Sequence, residues 1–306
     1  MKITIGSRGS SLALRQANWV KDRLMSGGHE VKIEIIKTSG DKLPNAALVA
    51  SGTKGLFIKE IEEGLLAGKV DLAVHSMKDL PTGLPAGLVI AAVPEREDPR
   101  DALVSKGSLL FEALPAGARI GTSSLRRQSQ LLALRPDLEI IPMRGNVDTR
   151  LQKLERGDCE ALVLAAAGLK RLGFTSRITS RFREDEICPA VGQGALAIEI
   201  RTQNAAVEEA VAELDDPATH QAVRAERALL KALGGGCALP IAAYAKHQVE
   251  HLHLTGVVAD PAGRQVVRAA SRGDAENPEE LGARVASELL GKGARELLSH
   301  TEPDAT

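Results

Sequence analysis

Short aliphatic runs that stop abruptly in polar residues alternate with amphipathic helical stretches through most of this 306-residue chain. That alternation constrains the chain to a layered α/β architecture. Val70–Pro81 is the sharpest instance. Val70, Leu72, Ala73 and Val74 form a run suited to a parallel strand buried on both faces. It ends in His75, Ser76, Lys78 and Asp79, and Pro81 stops any ladder. Ligands of open α/β sheets sit just beyond the carboxyl ends of strands. Lys78 and Asp79 are therefore candidates for chemistry on a charged substrate, the bland alternative being a solvated turn.

The pattern predicts a first strand at Ile3–Gly6, a hydroxyl-rich turn, and a helix over Leu12–Met25. A strand at Val31–Lys37 follows, then a long polar connection, Thr38–Lys54, read as a mobile loop. A helix is expected over Gly55–Leu66 and a strand at Leu88–Val93. Pro94–Asp101, dense in charge and proline, reads as a crossover between domains. Beyond it strands at Arg119–Gly121, Leu138–Pro142 and Ala161–Leu164 alternate with helices at Ser124–Leu134, Val147–Arg156 and Ala165–Leu172. Leu196–Ile200 and Ala205–Leu214 are a strand and helix returning to the first sheet. A helix at Ala218–Leu233, three strands between Ile241 and Ser271, and helices at Pro278–Leu290 and Gly293–Leu298 indicate a smaller α+β domain. The first two units echo each other: Ile5-Gly6-Ser7 with Ser10-Ser11-Leu12 resembles Ile120-Gly121-Thr122-Ser123-Ser124-Leu125. Each is a strand end followed by a hydroxyl-rich helix start, an anion-binding arrangement. The expected plan is domain 1 at 1–95 and 195–214, domain 2 at 100–190 and domain 3 at 217–306.

Composition removes several function classes. Aromatic residues make up 2% of the chain, too few for a platform on which single-stranded nucleic acid stacks. A formal net charge of −1 gives no global pull toward nucleic acid or membranes. No stretch approaches the ~18 apolar residues of a membrane span, and the opening MKITIGSRGSSLALRQ lacks the apolar core of a secretory signal. Cys159, Cys188 and Cys237 are widely separated, so neither a disulfide framework nor a zinc site is expected, and a reducing cytoplasm is. No GxxxxGK[ST] or GxGxxG motif supports a nucleotide cofactor.

Arginine is the strongest local signal. Between Arg119 and Arg183 stand eleven Arg and two Lys against three Asp and three Glu. Arg126, Arg127, Arg144 and Arg171 are the candidates to converge at one sheet edge as a polyanion site, the alternative being a solvated basic face. Cys237 follows Gly234-Gly235-Gly236, a loop context that fits a tether for a covalent group at least as well as a turnover nucleophile. Cys159 and Cys188 read as buried small hydrophobes. His75 is assigned a packed or capping role in preference to base catalysis.

The motifs SRGSSLALRQA, TKGLFIKE, AVHSMKDLP, EREDPRDAL, GTSSLRRQSQL, RGNVDTRLQKL, AAAGLKRLG, PAVGQGALAIE and GGGCALPIAAYA occur in order from Ser7 to Ala245. They resemble the porphobilinogen deaminase (hydroxymethylbilane synthase) family. The resemblance implies two periplasmic-binding-protein-like α/β domains around a cleft plus a smaller α+β C-terminal domain. It implies a cytoplasmic, monomeric transferase that joins four porphobilinogen molecules head to tail, with ammonia released at each step, for tetrapyrrole synthesis. It also implies a dipyrromethane cofactor held by a thioether, here to Cys237, and a catalytic aspartate, here Asp79. Arg8, Arg126, Arg127, Arg144, Arg150 and Arg171 match the family's carboxylate-binding arginines. Ser10, Lys54, Ser76, Lys78, Thr122, Ser123 and Ser124 match its other polar contacts, and no metal is implied. Ser11 stands where the family often has Pro and Thr53 where it often has Gly, differences that touch the Thr38–Lys54 loop read as a lid. The competing class is a non-catalytic two-domain binding protein for an anionic small molecule, in which Asp79 and Cys237 are dispensable.

Overall fold

The computed structural model describes residues 1–42, 57–236, 239–248 and 251–299. Lys54, most of the Thr38–Lys54 loop and Cys237 lie outside the described residues. The chain divides into two compact units, Met1–Glu97 with Ala195–His220 and Asp98–Gly194 with Gln221–Thr306.

In the first unit, β1 (Lys2–Ser7) leads into α1 (Ser11–Ser26) and β2 (Glu30–Ile35), which pairs parallel to β1. The Ser10 side chain caps α1 by accepting from the Ala13 N–H at 3.3 Å. Gln16, Ala17, Val20 and Leu24 face inward at helical spacing. A single turn, α2 (Ser39–Lys42), precedes the undescribed stretch, and α3 (Lys59–Leu66) follows it. The helix expected from Gly55 starts only at Lys59, because Phe57 and Ile58 form a turn ahead of it. Next come β3 (Leu72–Ser76) and β4 (Leu88–Ala92). The tenth strand of the chain, β10 (Leu196–Arg201), completes the sheet in the order β2-β1-β3-β10-β4. β3 is parallel to β1, whereas β10 runs antiparallel to both β3 and β4. One face packs Ile3, Ile5, Leu72, Val74, Ile198 and Ile200 against α1 and α7 (Ala205–Ala212). The other packs Val70, Ala73 and Leu88 against Ile61 and Leu65 of α3.

The second unit repeats this plan. Strands β5 (Asp101–Ser105), β6 (Arg119–Gly121), β7 (Glu139–Ile141), β8 (Ala161–Ala165) and β9 (Ser180–Arg181) form a sheet in the order β7-β6-β8-β5-β9. β6 lies parallel to β7 and β8, and β5 antiparallel to β8 and β9. Helices α4 (Leu125–Leu134), α5 (Val147–Arg156) and α6 (Ala166–Arg171) connect them. Asp101, read from the sequence as the end of the crossover between domains, instead opens β5 and is fully buried. The same unit carries a three-stranded antiparallel sheet, β11 (Ile241–Gln248), β12 (His251–Ala259) and β13 (Val266–Asp274). Its core joins Ala243, Leu252 and Leu254 to Leu229 of α8 (Pro217–Ala232) and to Leu281, Val285 and Leu289 of α9 (Pro278–Gly291). Leu297 of α10 (Ala294–Ser299) extends that core. Among the described residues no helix is long and apolar enough to cross a membrane.

Gly282 lets α9 approach α8 closely, since a Cβ there would stand 2.6 Å from Ala228 Cβ and 2.8 Å from the Leu229 nitrogen. Overpacking of this kind costs about 1–3 kcal/mol. Gly282→Ala is expected to lower the unfolding temperature by several degrees, measured by far-ultraviolet circular dichroism.

Candidate functional site

In the first unit, the polar residues gather at the carboxyl ends of β1 and β3. Ser7 is fully buried and donates its hydroxyl to the Arg8 carbonyl at 3.1 Å. The Arg8 guanidinium lies 4.2 Å from the centroid of the Phe57 ring, a cation–π contact that orients it. Ser76 accepts a 2.8 Å hydrogen bond from Nε2 of buried Gln16, which ties the end of β3 to α1. The chain then makes a 3₁₀ turn, Met77–Asp79. Met77 and Leu80 are buried anchors, and the Met77 N–H donates to the Ala195 carbonyl at 3.1 Å. Between these anchors Lys78 is half-buried and Asp79 exposed. A carboxylate on a turn pinned at both ends is available to a ligand without reordering its backbone. His75 is buried, with Nε2 3.1 Å from Glu199 Oε2, in keeping with the packed role assigned to it.

The second unit builds its site around one carboxylate. Arg126 Nη1 donates to Asp101 Oδ2 at 2.6 Å and to the Cys188 carbonyl at 2.8 Å. Arg127 Nε donates to Asp101 Oδ1 at 2.9 Å, and its Nη2 donates to Gln193 Oε1 at 3.3 Å. Gln193 Nε2 donates in turn to Asp101 Oδ1 at 3.0 Å and to the Pro99 carbonyl at 2.6 Å. Burial alone would raise the Asp101 carboxyl, but the Arg126 and Arg127 guanidiniums overcome it and hold it well below the usual carboxylate range. Burial pushes Arg127 down against the pull of Asp101. Arg150 is pushed down to about 10, first by burial and then by the positive charge of Arg127. Three guanidiniums thus share a region with one carboxylate, an excess of positive charge suited to anions.

Hydroxyls line the start of α4. The Ser124 side chain accepts from the Arg127 N–H at 3.4 Å, Thr122 Oγ1 accepts from the Ser124 N–H at 3.2 Å, and Ser123 Oγ donates to the Met143 carbonyl at 3.1 Å. The ten-residue helix presents its N-terminal dipole at the same place. Arg150 Nε donates to the Gly145 carbonyl, and the Arg144 carbonyl accepts from Lys153 Nζ, which folds the segment after β7 back on α5. Arg171 Nη2 donates to the Gly194 carbonyl at 2.7 Å, at the end of the Pro189–Gly194 segment. The carboxylate of buried Glu226 braces that segment, accepting from the N–H groups of Gly192 and Ala245.

Asp101, Gln193 and Gln16 are the residues that sequence reasoning missed. Asp101 stands inside the quoted motif EREDPRDAL, and its position in that unusual run was the available signal. Cys159 and Cys188 are buried, and burial raises both thiols, Cys159 to about 11 and Cys188 to about 12.

Because the folded state holds the Asp101 pKa below its unfolded value, its contribution to stability is complete above the ordinary aspartate pKa. That contribution is lost as pH falls through the folded value. Asp101→Asn strands two buried guanidiniums, and removing one member of a buried ion pair costs about 3–5 kcal/mol. Urea unfolding at neutral pH is expected to show that loss, with less additional destabilisation on acidification than in the native protein.

Two family models cover most of the chain. The model described as porphobilinogen deaminase, dipyromethane cofactor binding domain, matches residues 3–209, and the porphobilinogen deaminase C-terminal domain matches residues 220–291. The chain is 49% identical over 306 residues to the porphobilinogen deaminase of Carboxydothermus hydrogenoformans, covering 99% of this chain and 98% of that one. It is 51% identical over 306 residues to that of Desulforudis audaxviator, covering 99% of each. Among solved structures it is similar to the periplasmic aliphatic sulphonate binding protein of Escherichia coli, with 15% identity and a TM-score of 0.41 over 75% of this chain and 70% of that one. A periplasmic binding protein of Salmonella typhimurium with high arginine specificity gives 14% identity and a TM-score of 0.39, over 72% and 93%.

Proposed function

The chain belongs to the porphobilinogen deaminase family, and from that premise we propose the division of labour among its residues. The activity joins porphobilinogen units head to tail. Each step breaks the C–N bond of an aminomethyl group, releases ammonia, and forms a C–C bond to a pyrrole carbon that gives up its proton. Moving a pyrrolylmethyl group in this way makes the enzyme a transferase.

Asp79 is the catalytic group in this proposal. Its carboxylate stabilises positive charge developing on the pyrrole nitrogen as ammonia departs and assists transfer of the proton released on C–C bond formation. Its exposure on a turn anchored by buried Met77 and Leu80 supports that role. Lys78, Ser76, Arg8 and Ser10 are assigned to substrate carboxylates beside it, together with Lys54, which lies outside the described residues.

The observation that carries the proposal is the sharing of one carboxylate, Asp101, by Arg126 and Arg127, with Arg150 crowded by the charge of Arg127. Every pyrrole of the substrate and of a dipyrromethane bears an acetate and a propionate, so the donor set fits the cofactor that the family model names. Arg126, Arg127, Arg144, Arg150 and Arg171, with Thr122, Ser123 and Ser124, are assigned to its carboxylates. When bound, the dipyrromethane supplies the pyrrole carbon to which new units are joined. Cys237, also outside the described residues, is assigned as the thioether tether on its place after three glycines. The proposal keeps three domains, 1–95 with 195–214, 100–190 and 217–306, in a cytoplasmic monomer.

The intact mass of purified protein is expected to exceed the sequence mass by two deaminated porphobilinogen units, located on the Cys237 peptide. An unmodified, folded protein that gains nothing on incubation with porphobilinogen would favour a non-catalytic anion-binding protein instead. Asp79→Asn is expected to fold and to carry the same added mass while losing about 10²-fold or more in turnover, a general acid–base contribution. Full activity in that variant sinks the assignment. Sedimentation at about twice the chain mass of 32.4 kDa would overturn the monomer.

A further inference from the structure

On the face of the first unit's sheet that α3 covers, three ionisable side chains lie together and have no part in the catalytic and binding roles assigned above. The antiparallel register of β3 and β10 sets His75 opposite Ala197 and Glu199 opposite Ala73. His75 and Glu199 therefore stand diagonally on one face, and the two alanines leave room for them. Glu62 comes down from α3, between the inward-facing Ile61 and Leu65.

The hydrogen bonding of this group is incomplete as a set of ionised carboxylates. His75 Nε2 is 3.1 Å from Glu199 Oε2. Glu199 is fully buried, yet its Oε1 has no hydrogen-bond partner among the described residues, and neither does the buried Oε1 of Glu62. The charged groups facing Glu62 are Glu199 from β10 and His75 from β3. Further along the same strand face, Arg201 Nη1 donates to the Leu65 and Val70 carbonyls, and Asp71 accepts from the Thr4 N–H. Burial, and after it the charge of Glu199, push the Glu62 carboxyl above the usual range, with His75 opposing them. Two neighbouring carboxylates, one fully buried and one half-buried, do not both ionise readily.

We propose that Glu62, Glu199 and His75 hold one proton in common, and that this triad is a positioning device for the turn that carries Asp79. A proton between the two glutamates gives both unpaired oxygens a partner while Glu199 Oε2 keeps its contact with His75. His75 is four residues before Asp79, and the intervening chain is strand and a pinned 3₁₀ turn, so displacement at His75 is transmitted to the turn. As pH rises the shared proton leaves, the two neighbouring anions repel, and the fit of α3 on β3 beneath the turn loosens. The positioning half of this proposal rests on Asp79 being the catalytic group.

The sign of the pH effect is fixed by the direction of the shift. Glu62 binds its proton more tightly folded than unfolded, so its stabilising contribution is complete below the ordinary value of 4.5 and is lost as pH rises through the raised one. The test compares holoenzyme of native sequence with Glu62→Gln, Glu199→Gln and Asp79→Asn, by thermal melting and by kcat and KM for porphobilinogen, from about pH 5 to about pH 9. Glu62→Gln cannot release a proton. Its melting temperature is expected to decline less with rising pH, and the alkaline fall in kcat to move to higher pH, with KM within about twofold. Glu199→Gln is expected to lower kcat about tenfold or more with little change in KM. If that variant fails to fold, the isosteric Glu62→Gln decides alone. Melting curves of Glu62→Gln that run parallel to the native ones at every pH overturn the shared proton. An effect on KM in place of kcat overturns the positioning role. Full turnover of Asp79→Asn removes the catalytic reading, and the positioning with it, while the melting comparison still stands on its own.

Discussion

Asp101 is a single buried anion placed against two buried cations, and the second unit is arranged around that imbalance. Arg126 and Arg127 are adjacent at the start of α4, and both guanidiniums reach the first residue of β5. A buried ion pair is a poor source of net stability, because desolvation offsets most of the attraction. What this one achieves is direction. It fixes two flexible side chains, leaves a net positive charge in a protected place, and recruits Gln193 to hold the next segment of chain. Glu226 extends the same logic by gripping the N–H groups of Gly192 and Ala245, so the Pro189–Gly194 segment is held from both sides.

The two larger sheets solve the same problem in the same way. Each contains parallel strands joined by helices, whose carboxyl ends gather polar side chains. Each also takes in one strand that runs against all the others, β10 in one and β5 in the other. In the first unit the inserted strand brings Glu199 beside His75, placing an ionisable pair on one face of the sheet.

Much of this was legible in the chain. Leu72–Val74 is apolar on both faces and bounded by polar residues, so strand and turn could be read together, and Asp79 with them. Ser10 and Ser124 announced two helix starts by their capping chemistry, and both caps are made. What escaped depended on partners distant in sequence. Asp101 looks like the last charge of a crossover between domains until Arg126 and Arg127, twenty-five and twenty-six residues later, are folded against it. Glu199 sits in Leu196–Arg201 as an outward-facing alternation would place it, and only its pairing with a residue 124 positions away shows the face to be buried. Ser180–Arg181 is too short and too polar to register as a strand.

The position of β10 also sets a timetable for synthesis. β3 and β4 are made early but are not neighbours; the strand that joins them begins only at Leu196, more than a hundred residues after Ala92. At a ribosomal speed of about 5–20 residues per second, those strands wait roughly 5–20 s with unpaired edges. The sheet of β5 to β9, complete by Arg181, closes within that interval. The chain therefore finishes its second sheet before its first. A nascent protein with open strand edges is a customer for chaperones and a target for pairing with its neighbours on the same message.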